Sequence, residues 1–182
     1  MRGLLLTAAL LSLAALPAKA ELRTGDRAPE FTARAALAGS QTGFNLAEAL
    51  AKGPVVLYFF PEALTGNCLL ENYEFSYALG DFQRLGATVA GMSHDSIEVL
   101  QLASLLECSD KLPLLADPGL AVIRAYDAEN AARPGYALSA AFIIAPGGEI
   151  VYSHVNADSD PVRHVEGVVR ALEAWAAGNK IQ

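Results

Sequence analysis

Cys68 is the residue of this chain whose setting best suits it for chemistry. It follows the apolar, strand-like run Val55–Phe60 and stands at the start of a predicted helix. The backbone N–H groups and the dipole at that end of a helix favour an anion, so they lower the pKa of a thiol placed there. Thr65 lies three residues upstream, close enough for its hydroxyl to reach the sulfur or the group that the sulfur attacks. The two residues together predict a nucleophilic thiolate.

Cys108 is the second of the two cysteines in the chain. Two cysteines in an oxidising compartment most simply form a structural disulfide. The sequence therefore leaves three interpretations open for Cys68 and Cys108. They form a permanent bridge, they form a redox-active pair, or Cys108 is simply buried.

The first 20 residues have the features of a cleavable secretory signal peptide. Arg2 provides the positive start, Gly3–Leu16 is apolar but too short to span a bilayer, and Ala18–Ala20 forms an A-x-A cleavage site. No cysteine follows the apolar stretch, which argues against a lipid anchor. We expect a mature domain of residues 21–182 that is soluble, periplasmic or secreted, and not attached to the membrane.

Composition excludes one large class of partners. The 182 residues include 13 lysines and arginines against 20 aspartates and glutamates, a formal net charge of −7, and removal of the first 20 residues makes the charge more negative. The acidic residues are scattered, and no basic patch is present to bind nucleic acid or anionic lipid. The mature length suits one domain with a substantial core.

From Pro54 onward, strand-like and helical segments follow one another in the order β-α-β-α-β-α-β-β-α. The apolar run Pro54–Phe60 predicts a central strand, and the helical patterns Thr65–Arg84 and Pro161–Ala177 follow it. Further strands are predicted at 31–35 (an edge strand), 87–92, 112–115, 139–144 and 149–155, and further helices at 46–52, 96–108 and 119–126. This order predicts a three-layer α/β/α domain with a mixed central sheet. Cys68 then lies at the carboxyl end of a strand, where such sheets bind ligands.

Asp95 or Ser96 can cap the helix that runs to about Cys108, and Asp160 can cap the last helix. The predicted apolar faces are Leu69, Phe75, Leu79 and Phe82 in the helix at 65–84, Ile97, Leu100, Ala103 and Leu105 in the helix at 96–108, and Val165, Val168, Val169, Leu172 and Trp175 in the last helix.

Several short motifs in chain order carry a family resemblance. They are GDRAPEF at 25–31, FPEALTGNC at 60–68 with Glu71 and Phe75 after it, LPLLADP at 112–118, and FII followed by GEI within 142–150. With them the mature chain resembles the peroxiredoxins of the AhpC/TSA superfamily, in particular the PrxQ-like (bacterioferritin-comigratory protein) subgroup. The resemblance implies a thioredoxin-like fold with an N-terminal extension.

The resemblance also implies a thiol peroxidase that uses no metal, haem or flavin. Cys68 would attack hydrogen peroxide or an organic hydroperoxide and become a sulfenic acid. Thr65 would hydrogen-bond the peroxide or the thiolate, and Pro61 would shield the thiolate from water. Cys108 would be the resolving cysteine, since Tyr73 stands where related proteins have the nearer one. The expected reductant is a thioredoxin-like or other thiol, and the expected state is a monomer or weak dimer.

Ser139 is the main departure from the family pattern. Peroxiredoxins of this subgroup carry an arginine three residues before the Phe of the F-x-I strand, and that position here is Ser139. Arg133 lies on the preceding loop but does not align with it. Either another arginine substitutes, or turnover is slow, or the protein is a degenerate member.

Two alternative functions follow from the same residues. A thiol-disulfide oxidoreductase would show C-x-x-C, but position 65 is Thr65. A non-catalytic, disulfide-stapled binding domain is favoured by Ser139.

The three histidines do not have metal-ligand spacing. His94 is expected in a polar loop, and His154 and His164 are expected at the surface.

Overall fold

The computed structural model describes residues 22–106 and 111–178, without the side chains of Asn67 and Cys68. Within these residues it contains strands and helices in an order close to the predicted one. The strands are β1 Thr32–Leu37, β2 Ser40–Asn45, β3 Val55–Phe59, β4 Thr88–Ser93, β5 Leu114–Ala116, β6 Ala140–Ile144 and β7 Ile150–Val155. The helices are α1 Leu46–Leu50, α2 Gly66–Tyr77, α3 Leu79–Arg84, α4 Ile97–Leu106, α5 Ala121–Ala125 and α6 Pro161–Ala176.

The strands form one seven-stranded sheet in the order β2-β1-β5-β4-β3-β6-β7. The pairs β3–β4 and β4–β5 are parallel, and the remaining pairs are antiparallel. The predicted mixed sheet is therefore confirmed. The prediction that residues 31–35 form an edge strand is wrong, because β2 forms the edge beside β1. Sequence patterns missed β2, since its side chains are mostly exposed and it contains Gly43.

The central strand β3 is buried along its whole length, as its apolar sequence predicts. Successive side chains point to opposite faces of the sheet. Val56 and Tyr58 pack with the face that α2, α3, α4 and α6 cover, whereas Leu57 and Phe59 pack with the face of α1 and α5. Two apolar cores thus enclose the strand that leads to Cys68.

The predicted helix at 65–84 is divided into α2 and α3 at Ala78, whose ψ of 0° departs from helical geometry. Phe75 and Phe82 are buried as predicted. Leu69 is 41% exposed, so its assignment to the buried face is wrong. The break at Ala78 turns the chain, so one helical periodicity does not describe both segments.

The last helix begins as predicted, with the Asp160 carboxylate accepting the backbone N–H of Arg163 at 3.1 Å. Val165, Val168 and Leu172 of its apolar stripe are buried. The helix packs against α2, the helix that carries Cys68. No helix in the described ranges combines the length and apolar character that crossing a membrane requires.

Candidate active site

Cys68 is the third residue of α2, directly beyond the carboxyl end of the central strand. Thr65 is the N-cap residue of this helix, and its carbonyl oxygen accepts the N–H of Leu69 at 2.8 Å. The amides of Gly66, Asn67 and Cys68 belong to the first turn, which has no preceding turn to accept its hydrogens. The helix start therefore offers N–H groups and the positive end of a dipole to an anion at this position.

Thr65 uses its hydroxyl within its own loop. The Thr65 hydroxyl donates to the carbonyl oxygen of Glu62 at 2.9 Å and does not cap α2. Its oxygen lone pairs remain able to accept a hydrogen bond. The expected contact of Thr65 with the thiol stays a prediction, because the sulfur of Cys68 is not among the described atoms.

The loop between β3 and α2 is anchored by the segment that follows β4. The Nδ1–H of His94 donates to the carbonyl oxygen of Pro61 at 3.0 Å, and the carboxylate of Asp95 accepts the N–H of Ala63 at 2.8 Å. Ser93 donates its hydroxyl to the same carboxylate oxygen at 2.8 Å. The sequence indicated a polar loop at His94 and a helix cap at Asp95 or Ser96. In the structure Ser96 accepts the N–H of Val99 at 3.5 Å, whereas His94 and Asp95 hold the loop that precedes Cys68.

Leu64 completes the turn into α2 with a backbone that leucine seldom adopts. Its φ is 60°, in the left-handed region, and its side chain is partly exposed. This conformation costs a residue other than glycine on the order of 1 kcal/mol or more. The anchored loop therefore holds local strain four residues before Cys68.

Arg133 reaches the same loop from the segment before β6. Its guanidinium lies 3.4 Å from the carboxylate of Glu62, and its central carbon lies 3.3 Å from the ring centroid of Tyr136. The Tyr136 ring in turn meets the ring of His94 edge to face, with centroids 4.5 Å apart. A cation thus lies beside the loop, although Arg133 does not align with the family arginine.

Glu71, one helical turn after Cys68, is the second polar centre of the site. Oε1 of its buried carboxyl accepts the hydroxyl of Ser139 at 2.5 Å and lies 2.8 Å from Nδ1 of His164. The prediction that His164 lies at the surface is wrong, because its side chain is buried between α6 and α2. The signal was present in the sequence, since His164, Val168 and Leu172 share one face at spacings of four residues.

Cys108 lies outside the described residues, so its predicted resolving role stays a prediction. Helix α4 was expected to run to about Cys108 and is described to Leu106. Its buried residues Ile97, Leu100 and Ala103 match the predicted apolar face, whereas Leu105 is half-exposed.

The site as described brings together the loop at 61–65, the start of α2, His94, Asp95 and Arg133.

Known proteins resemble this chain in sequence along most of its length. The model of the AhpC/TSA family matches residues 24–153. The chloroplastic 2-cysteine peroxiredoxin of Chattonella marina var. antiqua is 33% identical over 159 residues, which cover 84% of this chain and 80% of the relative.

Solved structures resemble it in fold. AhpC of Enterococcus faecalis superposes with a TM-score of 0.77 at 26% identity, covering 90% of this chain and 99% of that one. Peroxiredoxin Q of Xanthomonas campestris gives a TM-score of 0.68 at 26% identity, covering 79% of this chain and 90% of that one.

Proposed function

The chain belongs to the AhpC/TSA family of peroxiredoxins, and from that premise we propose that Cys68 is the peroxidatic cysteine. The thioredoxin-like fold and the thiol peroxidase activity expected from the motifs are those of this family. The position of Cys68 carries the proposal. It is in the first turn of a helix that begins beyond the carboxyl end of the central strand.

Cys68 thiolate attacks one oxygen of the peroxide, forming an S–O bond as the O–O bond breaks. The sulfur is oxidised to a sulfenic acid and the peroxide is reduced. The departing oxygen takes up a proton and leaves as water from hydrogen peroxide or as an alcohol from an organic hydroperoxide. Backbone N–H groups at the start of α2 stabilise the negative charge during this transfer.

Thr65 and Pro61 prepare this step. Because the Thr65 hydroxyl already donates to Glu62, its oxygen is available to accept a hydrogen bond from the peroxide. Pro61 covers the thiolate and excludes water from it. The Pro61 carbonyl is held by His94, so the loop keeps one conformation while the peroxide binds.

Cys108 resolves the oxidised enzyme. Its thiol attacks the sulfenic acid of Cys68, a disulfide forms, and the oxygen leaves as water. A thioredoxin-like or other dithiol reductant then returns both cysteines to thiols and becomes oxidised itself. A disulfide requires Cα atoms about 5.5 Å apart, so α2 unwinds at its first turn to form it.

The protein performs this reaction outside the cytoplasm as a monomer or weak dimer. The positive Arg2, the apolar stretch Gly3–Leu16 and the A-x-A site at Ala18–Ala20 support a cleaved signal peptide. Mass spectrometry of protein recovered from a periplasmic fraction tests this directly. A chain that still begins at Met1 contradicts cleavage.

Peroxide consumption with dithiothreitol as reductant tests the assignment of Cys68. We expect the wild type to consume hydrogen peroxide and Cys68→Ser to do so only at the uncatalysed rate. Equal rates for the two proteins would show that Cys68 is not peroxidatic.

Mass spectrometry after a brief peroxide pulse separates the two cysteines. The reduced wild type should lose two hydrogens as the disulfide forms. The reduced Cys108→Ser protein should gain one oxygen at Cys68. If the Cys108→Ser protein and the wild type give the same product, Cys108 is not the resolving residue.

A further inference from the structure

Glu71 is a buried carboxyl on the helix that carries Cys68, and two side chains from distant parts of the chain meet one of its oxygens. The Ser139 hydroxyl donates to Oε1 at 2.5 Å, and Nδ1 of His164 lies 2.8 Å from the same atom. Glu71 and His164 are 3% and 2% exposed. Water therefore screens their interaction little.

The two ring nitrogens of His164 have different surroundings. Nδ1 faces the carboxyl of Glu71, whereas Nε2 is buried without a hydrogen-bond partner in the described part of the chain. Among the described residues, the contact with Glu71 is therefore the polar interaction that orients the His164 ring.

Few titratable groups face this ring. Glu71 faces it from α2, and His154 faces it from β7 with the ring centroids 5.5 Å apart. Partial burial lowers the pKa of His154, and charge on His164 lowers it further. The remaining charged groups at the start of α6 interact with one another or with His154, and they are Asp158, Asp160 and Arg163. Of the two histidines, His164 is the one that contacts Glu71.

We propose that His164 is a positioning residue for the peroxidatic turn, its Nδ1–H donating a hydrogen bond that holds Glu71 and the start of α2 in place. This inference rests on Cys68 being the peroxidatic residue. Glu71 is one helical turn beyond Cys68, so a shift of Glu71 moves the turn that carries the thiolate. Ser139 stands where the family resemblance places an arginine, and His164 is the second side chain at the carboxyl that Ser139 contacts.

A positioning role makes a specific demand on the side chain at position 164. A side chain that still donates an N–H to Glu71 should preserve the reaction of Cys68 with peroxide. An apolar side chain of similar size should slow it, because one partner of the buried carboxyl is lost.

The rate of a single oxidation event tests this role. Reduced Cys108→Ser protein is mixed with hydrogen peroxide, and the sulfenic acid on Cys68 is trapped with a 1,3-diketone and quantified over time. Adding His164→Leu should slow the reaction about 10-fold. Adding His164→Gln, whose amide N–H can still donate to Glu71, should restore most of the rate.

His154→Leu, in the same Cys108→Ser background, is the matched control, and it should react at the rate of the parent protein. Equal rates for His164→Leu and the parent protein overturn the proposal, and so do equally slow rates for His164→Leu and His164→Gln. Nitrogen-15 NMR of the histidine rings provides a readout independent of activity and should show a hydrogen on Nδ1 of His164. A ring without a hydrogen on Nδ1 also overturns it.

The two proposals fail in different ways. If the thiol of Cys68 reacts with peroxide in none of these proteins, the peroxidatic assignment fails, and NMR still tests the hydrogen bond of His164. If Cys68 reacts equally fast in all of them, only the positioning role of His164 fails.

Discussion

The phenol of Tyr58 donates a 2.7 Å hydrogen bond to the side-chain oxygen of Asn72, joining the central strand to the helix that carries Cys68. The ring of Tyr58 also stacks on Phe75 of the same helix, with centroids 3.9 Å apart. Both contacts are buried. The strand therefore fixes the position of α2 through one side chain that contributes packing and a hydrogen bond.

Tyr58→Phe should lower the free energy of unfolding by about 1–3 kcal/mol, because it keeps the ring and removes the donor to a buried oxygen. Urea denaturation measures the loss. Tyr73→Phe, on the half-exposed side of the same helix, is the matched control and should change stability by less than about 0.5 kcal/mol. Equal effects of the two changes would contradict the importance of the buried bond.

Gly91→Ala should destabilise the protein by about 1–3 kcal/mol through overpacking. Gly91 pairs with Tyr58 across β3 and β4, and a Cβ at this position would lie 2.5 Å from the phenol oxygen. Gly43→Ala offers a comparison in the edge strand β2, where a Cβ meets nothing within 4 Å. Thermal or urea unfolding measures the stability of both variants. Comparable losses of stability in Gly91→Ala and Gly43→Ala would argue against a clash with Tyr58.

Asp95→Ala should slow the oxidation of Cys68 and lower stability by about 1–3 kcal/mol, since it leaves the N–H of Ala63 and the hydroxyl of Ser93 without their acceptor. Asp95→Asn retains one acceptor oxygen and should be milder. Single-turnover oxidation and urea denaturation provide the two measurements. The control is Asp158→Ala in an exposed loop. Wild-type kinetics in Asp95→Ala would show that the loop needs no anchor.

Arg133→Met should slow the reaction with peroxide about 3-fold, because it removes a cation beside the loop at 61–65 and the ion pair with Glu62. The side chain of Arg133 is exposed to solvent. The difference in reaction rate between Arg133→Met and the wild type should therefore become smaller as added salt screens the charge of Arg133. Arg84→Met, which removes an exposed ion pair with Asp81, serves as the control. A salt-independent effect would point to lost packing on Tyr136 instead of lost charge.

His154→Gln should reduce the loss of stability on acidification. Burial, followed by the charge of His164, lowers the pKa of His154 below its ordinary value of 6.5. The unfolded chain then binds a proton more readily than the folded one as the pH falls through that value, so the folded state loses stability. Urea denaturation at pH 7.5 and pH 5.5 should show a smaller difference for the variant. An unchanged difference would mean that other groups control the acid limb.

Much of the fold was predictable because it is recorded in local patterns. The apolar run at 55–59 predicted the buried central strand, and Asp160 predicted the start of α6. Strand β2 was not predictable in the same way, since an exposed edge strand has no apolar alternation to mark it. The break at Ala78 also escaped detection, because Phe75, Leu79 and Phe82 continue a helical spacing of apolar residues across it.

The sequence by itself determined the chemistry that this protein can perform. A cysteine three residues after Thr65, at the strand-to-helix turn, needs only local order to become a nucleophile, and the surrounding motifs are contiguous in the chain. Those features do not depend on how distant segments pack.

The tertiary structure alone decided which groups surround that turn. Arg133 meets Glu62 from 71 residues away, and His164 meets Glu71 from 93 residues away. Such contacts follow from the packing of α6 on α2 and of the segment before β6 on the loop, which no local pattern records. The spacing of His164 with Val168 and Leu172 indicates a buried face, but the carboxyl that His164 meets there belongs to another helix and follows only from the packing.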